Sequence, residues 1–251
     1  GYRTVPLFLG DYVSLRDDLT IDDVVKRMDA VVRRHQGLAR SHGEHLDARF
    51  HLIVHSTGGL VARRWIARYH AGTTCPVENL LMLAPANFGS KLAHVGRSLL
   101  GRVFKGWRTG FETGEEMLYA LELGSPFQWD LARDDLFALR RGAPVLYAPD
   151  RVRPFVIVGS HPYGALVNRL TNEDGSDGTV RVAAASLNAH GMTIDSTGSP
   201  DALADPAVSV WPRRGGADAA FPLAVLPDRD HGNVKAPDEP GYAAKPADQE
   251  R

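Results

Sequence analysis

Phe50-His51-Leu52-Ile53-Val54-His55 is a run of strand length that ends on Ser56, and Thr57-Gly58-Gly59 leads at once into a helical pattern beginning Leu60-Val61-Ala62. A serine hydroxyl at such a turn projects above the sheet, and the following helix aims its N–H groups and positive dipole end at whatever binds there. This is the setting of a nucleophile elbow, in which Ser56 would attack a carbonyl carbon and the Thr57 N–H would bind the oxyanion. The turn is strained and leaves little room for neighbouring Cβ atoms. Gly58 and Gly59 meet that demand on one side, whereas Val54 stands two before the serine, where a small residue is expected. An ordinary helix cap built from Ser56 and Thr57 is the competing reading of the same string.

A hydroxyl of normal pKa needs a base, and the base needs an orienting carboxylate. In the order serine, acid, histidine, the acid follows a strand beyond a cap and the histidine follows the last strand. Thr171-Asn172-Glu173-Asp174-Gly175-Ser176-Asp177-Gly178-Thr179-Val180 lies behind the Phe155–Gly159 run and is dense in turn residues. Asp177 is the candidate acid there and Asp174 the runner-up; taken alone, each is one half of an Asp-Gly turn. A calcium loop would need a fuller ligand spacing and a closing Glu. Asp228-Arg229-Asp230-His231-Gly232-Asn233 follows the Phe221–Leu226 run and offers His231 as the base, with His190, behind Val180–Leu187, as its rival. The remaining histidines, His55 included, read as surface or packing residues.

The elements that must position these side chains alternate. Thr4–Leu9 is β-rich; Thr20 caps a helix carrying Ile21, Val24, Val25, Met28, Val31 and Val32 at helical spacing up to Gly37; Phe50–His55, Gly58–His70 and Leu80–Leu83 read as strand, helix and strand. Such alternation predicts an α/β fold, a mostly parallel sheet with helices on both faces. It lapses from Ala84 to Pro154, where helices over Glu115–Leu123 and Trp129–Leu139 indicate an inserted cap, about 88–140. The sheet pattern resumes with Phe155–Gly159, Val180–Ala184 and Phe221–Leu226. Residues 1–234 are expected to form one domain, and 235–251, rich in Pro, Ala and charge, a loose tail.

Ser56, Asp177 and His231 in this order make the chain resemble the α/β-hydrolase superfamily, and within it bacterial lipases and esterases. His55-Ser56-Thr57-Gly58-Gly59-Leu60-Val61 is similar to the lipase serine elbow, Leu83-Ala84-Pro85-Ala86-Asn87-Phe88-Gly89-Ser90-Lys91-Leu92-Ala93 to the loop leading into the lid, and Ser176-Asp177-Gly178-Thr179-Val180 to the acid loop. The resemblance implies hydrolysis of a small-molecule or lipid ester through an acyl-enzyme and without a cofactor. The alternatives are a phospholipase or an acyltransferase with the same triad, or a hydrolase-like binding protein that has lost catalytic power. Leu92, Leu99, Leu100, Phe104, Trp107, Phe111, Met117 and Leu118 would line an acyl pocket or else pack the cap onto the core. The usual core carries two βα units before the elbow strand, and only one is visible here. An N-terminal unit is therefore expected to be missing, which a first residue of Gly1 rather than Met fits; alternatively Thr4–Leu9 is itself the oxyanion strand, Gly10-Asp11-Tyr12 supplies the second donor, and the next strand is the missing one.

Composition narrows the field further. With 29 Lys and Arg against 30 Asp and Glu the net charge is −1, so nothing draws the chain as a whole to nucleic acid. Cys75 is the single cysteine, which excludes a disulfide scaffold, a zinc finger and an iron–sulfur centre. No apolar run reaches the roughly 18 residues of a membrane span, so an integral membrane protein is not expected; localisation stays open.

Overall fold

The computed structural model describes residues 4–7, 18–41, 49–93, 114–139, 142–162, 173–197, 206–215 and 220–235. Helix α1 (Ile21–Ser41) starts at Thr20, whose Oγ accepts from the Asp23 N–H at 3.2 Å while the Asp23 carboxylate accepts from the Thr20 N–H at 3.1 Å. That reciprocal pair satisfies two otherwise orphaned donors. The helix runs on past Gly37, since a single glycine weakens a helix without ending it. Strand β1 (Phe50–His55), helix α2 (Gly58–Tyr69) and strand β2 (Val77–Leu83) follow as the alternation predicts. Helices α3 (Glu115–Leu121) and α4 (Pro126–Asp135) precede strand β3 (Arg153–Gly159), and the short helix α5 (Val182–Ala185) comes before a hairpin of β4 (Met192–Asp195) and β5 (Ala207–Val210). Strand β6 (Leu223–Leu226) is the last.

The main sheet has the order β1-β2-β3-β6 with every pairing parallel. His55, Leu83, Ile157 and Ala224 stand in one row across it, so the carboxyl ends of the strands form a common edge. In open α/β sheets the crevice outside this edge is where sites are built. Beneath it, α1 packs on α2 and α2 on β1 and β2. Ile21, Val24, Leu60, Trp65 and Ile66 bury their side chains there with Leu80, Met82, Val156 and Val158 from the strands. Each such side chain contributes about 1.5–3 kcal/mol relative to an exposed one. On the other face Leu81, Phe155, Ile157 and Leu223 line a shallow apolar hollow, and Ile53 is 63% exposed.

Three expectations are corrected. Val180–Ala184 is no strand: Asp177 and Val180 close a tight loop through the Asp177 N–H and the Val180 carbonyl, and the alanines wind into α5. Thr4–Leu7 is irregular, as Pro6 withholds a ladder donor there, while Leu7 packs against the core. Helix Trp129–Leu139 lies earlier, at α4, started by Pro126 in its first turn. The β4/β5 hairpin has no counterpart among the expected elements; its Met192, Ile194, Val208 and Val210 share one exposed face. Of the expected cap, residues 94–113 and 140 lie outside the described residues, as do Phe8 and Leu9 of the first β-rich run, the loop Gly10–Tyr12 and, beyond Lys235, the expected tail.

Candidate active site

Ser56 sits on the first residue past β1 with φ 54°, a left-handed conformation unusual for a residue bearing a side chain. Its N–H donates to the Leu83 carbonyl at 3.0 Å, and its own carbonyl accepts from Gly59 at 3.0 Å and Ala86 at 3.3 Å. The neighbouring strand ends alike, with Ala84 at φ 45°. Both glycines are dictated by close approach: a Cβ on Gly59 would stand 2.7 Å from Pro85 Cβ, and one on Gly58 would stand 3.2 Å from Val54 Cβ. The second distance shows that Val54 fills the space a side chain at position 58 would need. Thr57 is the N-cap of α2 and makes no side-chain cap hydrogen bond, so Ser56 and Thr57 are not spent on capping the helix.

Two loops meet this serine. Asp177 is fully buried, and its Oδ1 accepts from the Thr179 N–H at 2.9 Å and the Val180 N–H at 2.7 Å. That leaves Oδ2 for His231 Nδ1, at 2.8 Å. His231 Nε2 lies 3.0 Å from Ser56 Oγ. The acid loop is braced from outside by Glu173, which binds Arg181 at 2.7 Å and Lys91 at 2.8 Å; hydrogen bonds from those two cations, Arg181 foremost, hold its carboxyl down at about 2. His231 is framed by Asp230, whose Oδ1 accepts from the Gly232 and Asn233 N–H groups at 2.8 and 2.9 Å and so fixes the 3-10 turn Asn233–Lys235.

The structure thus brings Ser56, Asp177 and His231 into one hydrogen-bonded line, while Asp174 and His190 are exposed. A line of this kind can pass the serine proton to an imidazole whose positive charge a buried carboxylate then stabilises. Sequence reasoning missed His55, which lies under His231 with ring centroids 4.7 Å apart. Burial, aided by the neighbouring His231 and Lys235, pushes its imidazole down to about 2. Of the residues expected to line an acyl pocket, Met117 and Leu118 are buried in the core, Leu92 has no described side chain, and the other five lie outside the described residues. Among the described residues no group of three or more His, Cys, Asp or Glu could hold a metal ion, and no helix is long and apolar enough to cross a membrane.

No family model and no curated protein matches the chain. Solved structures do. Phospholipase PlaB from Legionella pneumophila is 33% identical with a TM-score of 0.69, over 88% of this chain and 44% of that one. The same phospholipase in complex with thio-NAD gives 32% and 0.67, over 88% of this chain and 42% of that one. The mature form of the Bacillus licheniformis lipase BlEst2 is 18% identical with a TM-score of 0.46, over 68% of this chain and 63% of that one. The chain spans less than half the length of the two PlaB chains.

Proposed function

The chain is an α/β-hydrolase in fold, similar over most of its length to a bacterial phospholipase, and from that premise we propose that it is a lipolytic serine hydrolase. Ser56 Oγ attacks the ester carbonyl, His231 Nε2 takes the proton, and Asp177 holds the resulting imidazolium through Nδ1. The alcohol leaves with the proton given by His231; water, deprotonated by the same imidazole, then attacks the acyl-enzyme, and His231 returns that proton to Ser56 Oγ as the acid is released. The oxyanion falls to the Thr57 N–H at the start of α2, where the helix dipole adds to the bond. The observation that carries this reading is the line Asp177 to His231 to Ser56, with contacts of 2.8 and 3.0 Å, ending on a serine held at φ 54°.

The 33% identity to a phospholipase favours a phospholipid ester as the natural substrate within this class. Turnover of p-nitrophenyl esters of graded chain length beside phosphatidylcholine and phosphatidylglycerol vesicles tests both levels. Hydrolysis is expected, and Ser56→Ala is expected to abolish it with the thermal midpoint preserved, because the serine contributes little packing. Undiminished turnover in that variant sinks the serine mechanism. Release of fatty acid from short esters but not from vesicles removes the phospholipid reading alone.

A further inference from the structure

His231 belongs to neither a helix nor a strand, yet all four of its polar groups are held. Its N–H donates to the Asp177 carbonyl at 2.9 Å, its Nδ1 meets Asp177 Oδ2 at 2.8 Å, its Nε2 meets Ser56 Oγ at 3.0 Å, and its carbonyl lies 2.9 Å from His55 Nε2. The acid residue therefore grips both the main chain and the ring. The residue before the nucleophile grips the main chain from the opposite side. A carbonyl oxygen only accepts, so the proton between His55 and His231 sits on His55 Nε2 and fixes that tautomer. A ring charged at neither nitrogen is what burial beneath the base favours.

We infer that His55 is a positioning residue, whose Nε2–H holds the His231 carbonyl and thereby keeps the base aimed at Ser56. This rests on the serine-hydrolase reading above. His55 and Ser56 are consecutive at the end of β1, so the hydroxyl and the clamp on its base ride on the same strand end. A shift of the His231 loop away from the serine must break the His55 contact, and misplacement by about 1 Å can lower a rate about 100-fold. Packing alone does not explain the arrangement, because a ring tilted 49° at 4.7 Å would be served as well by phenylalanine, which has no N–H to give.

Two replacements separate the roles. His55→Phe keeps a ring and removes the donor. His55→Gln removes the ring and keeps an amide N–H the same number of bonds from Cα as imidazole Nε2. The measurements are kcat and KM on p-nitrophenyl butyrate, the rate constant for phosphonylation of Ser56 by a fluorophosphonate, and the thermal midpoint, with Ser56→Ala alongside. His55→Phe is expected to lower kcat and the phosphonylation rate at least fivefold with KM within twofold, and His55→Gln to recover most of that loss. His55→Phe within fivefold of wild type, or His55→Gln no faster than His55→Phe, overturns the inference. Should His55→Phe fail to fold, His55→Gln decides alone: a rate within fivefold of wild type supports the clamp, and a larger loss defeats it. An active Ser56→Ala, or a wild-type protein inert to ester and fluorophosphonate, defeats the serine reading and this inference together, whereas a dead Ser56→Ala beside a fully active His55→Phe defeats only this one.

Discussion

Asp177 divides its work between two oxygens, and the division fixes what a neutral substitute does. In Asp177→Asn the Oδ1 atom can keep the two N–H groups of Thr179 and Val180, so the loop holds. The new amide then donates to His231 Nδ1, which forces the ring proton onto Nε2, facing Ser56, where no proton can be received. A loss in kcat of about 10⁴ with a nearly unchanged thermal midpoint is expected; a loss shared by both would mean that the loop had collapsed. His55 governs a different observable. Its pKa is about 2 in the folded protein against an ordinary 6.5, so below 6.5 the unfolded chain binds the extra proton. This contribution is complete above pH 6.5 and is lost as pH falls toward 2, by about 1.4 kcal/mol per unit. Urea midpoints at pH 7.5, 6.5 and 5.5 should show the decline starting near 6.5, and His55→Gln should flatten it. The two histidines were unequally legible for a physical reason. His231 lies in a short polar string after the last strand, a local pattern, whereas the partner of His55 is a carbonyl 176 residues away and leaves no trace in neighbouring residues.

At the scale of elements, the junction of β1 and α2 tolerates almost no added atom. Gly59→Ala would set a methyl 2.7 Å from Pro85 Cβ, and Pro85 precedes the Ala86 whose N–H binds the Ser56 carbonyl. Overpacking of this kind costs about 1–3 kcal/mol. Because the push is delivered to the elbow's own hydrogen bonds, kcat is expected to fall along with the urea midpoint; a stability loss with kcat intact would show the elbow to be insulated from Pro85. Helix α1 and the β1–α2–β2 unit around this junction were readable because their apolar spacing is dictated by burial against one another. Where tertiary contacts decide instead, local pattern misleads. Val180-Arg181-Val182 has the β-branched content of a strand, but the buried Asp177 carboxylate draws the Val180 N–H into a loop and the alanines follow as helix. Met192-Thr193-Ile194-Asp195 and Ala207-Val208-Ser209-Val210 do alternate as strands should, yet they face solvent and, among the described residues, pair with each other rather than with the parallel sheet that the alternation describes.

Across the whole molecule, the elbow helix is tied to the region after β2 by charge. Arg63 and Asp135, both wholly buried, meet through Nε–Oδ2 at 2.8 Å and Nη2–Oδ1 at 2.9 Å; Tyr147 donates to Oδ2 and Arg63 Nη1 to the Asn87 carbonyl. Removing one partner strands the other in the interior, so Asp135→Ala should cost about 3–5 kcal/mol, whereas Arg63→Met combined with Asp135→Leu should recover much of it. Urea unfolding of the single and double variants checks both statements, and a double variant as weak as the single would show that the pair does more than fill its space. No sequence pattern announced this pair, since 72 residues separate its members. The parallel α/β architecture was legible, because alternating strands and helices admit few other packings. Finally, the left-handed backbone at Ser56 has a consequence over generations. A non-glycine residue held there costs about 1–2 kcal/mol that glycine would not incur. On the serine-hydrolase reading, only selection for turnover would keep a strained residue in place, and a lineage released from it would be expected to drift toward glycine at position 56, retaining the fold while losing its chemistry.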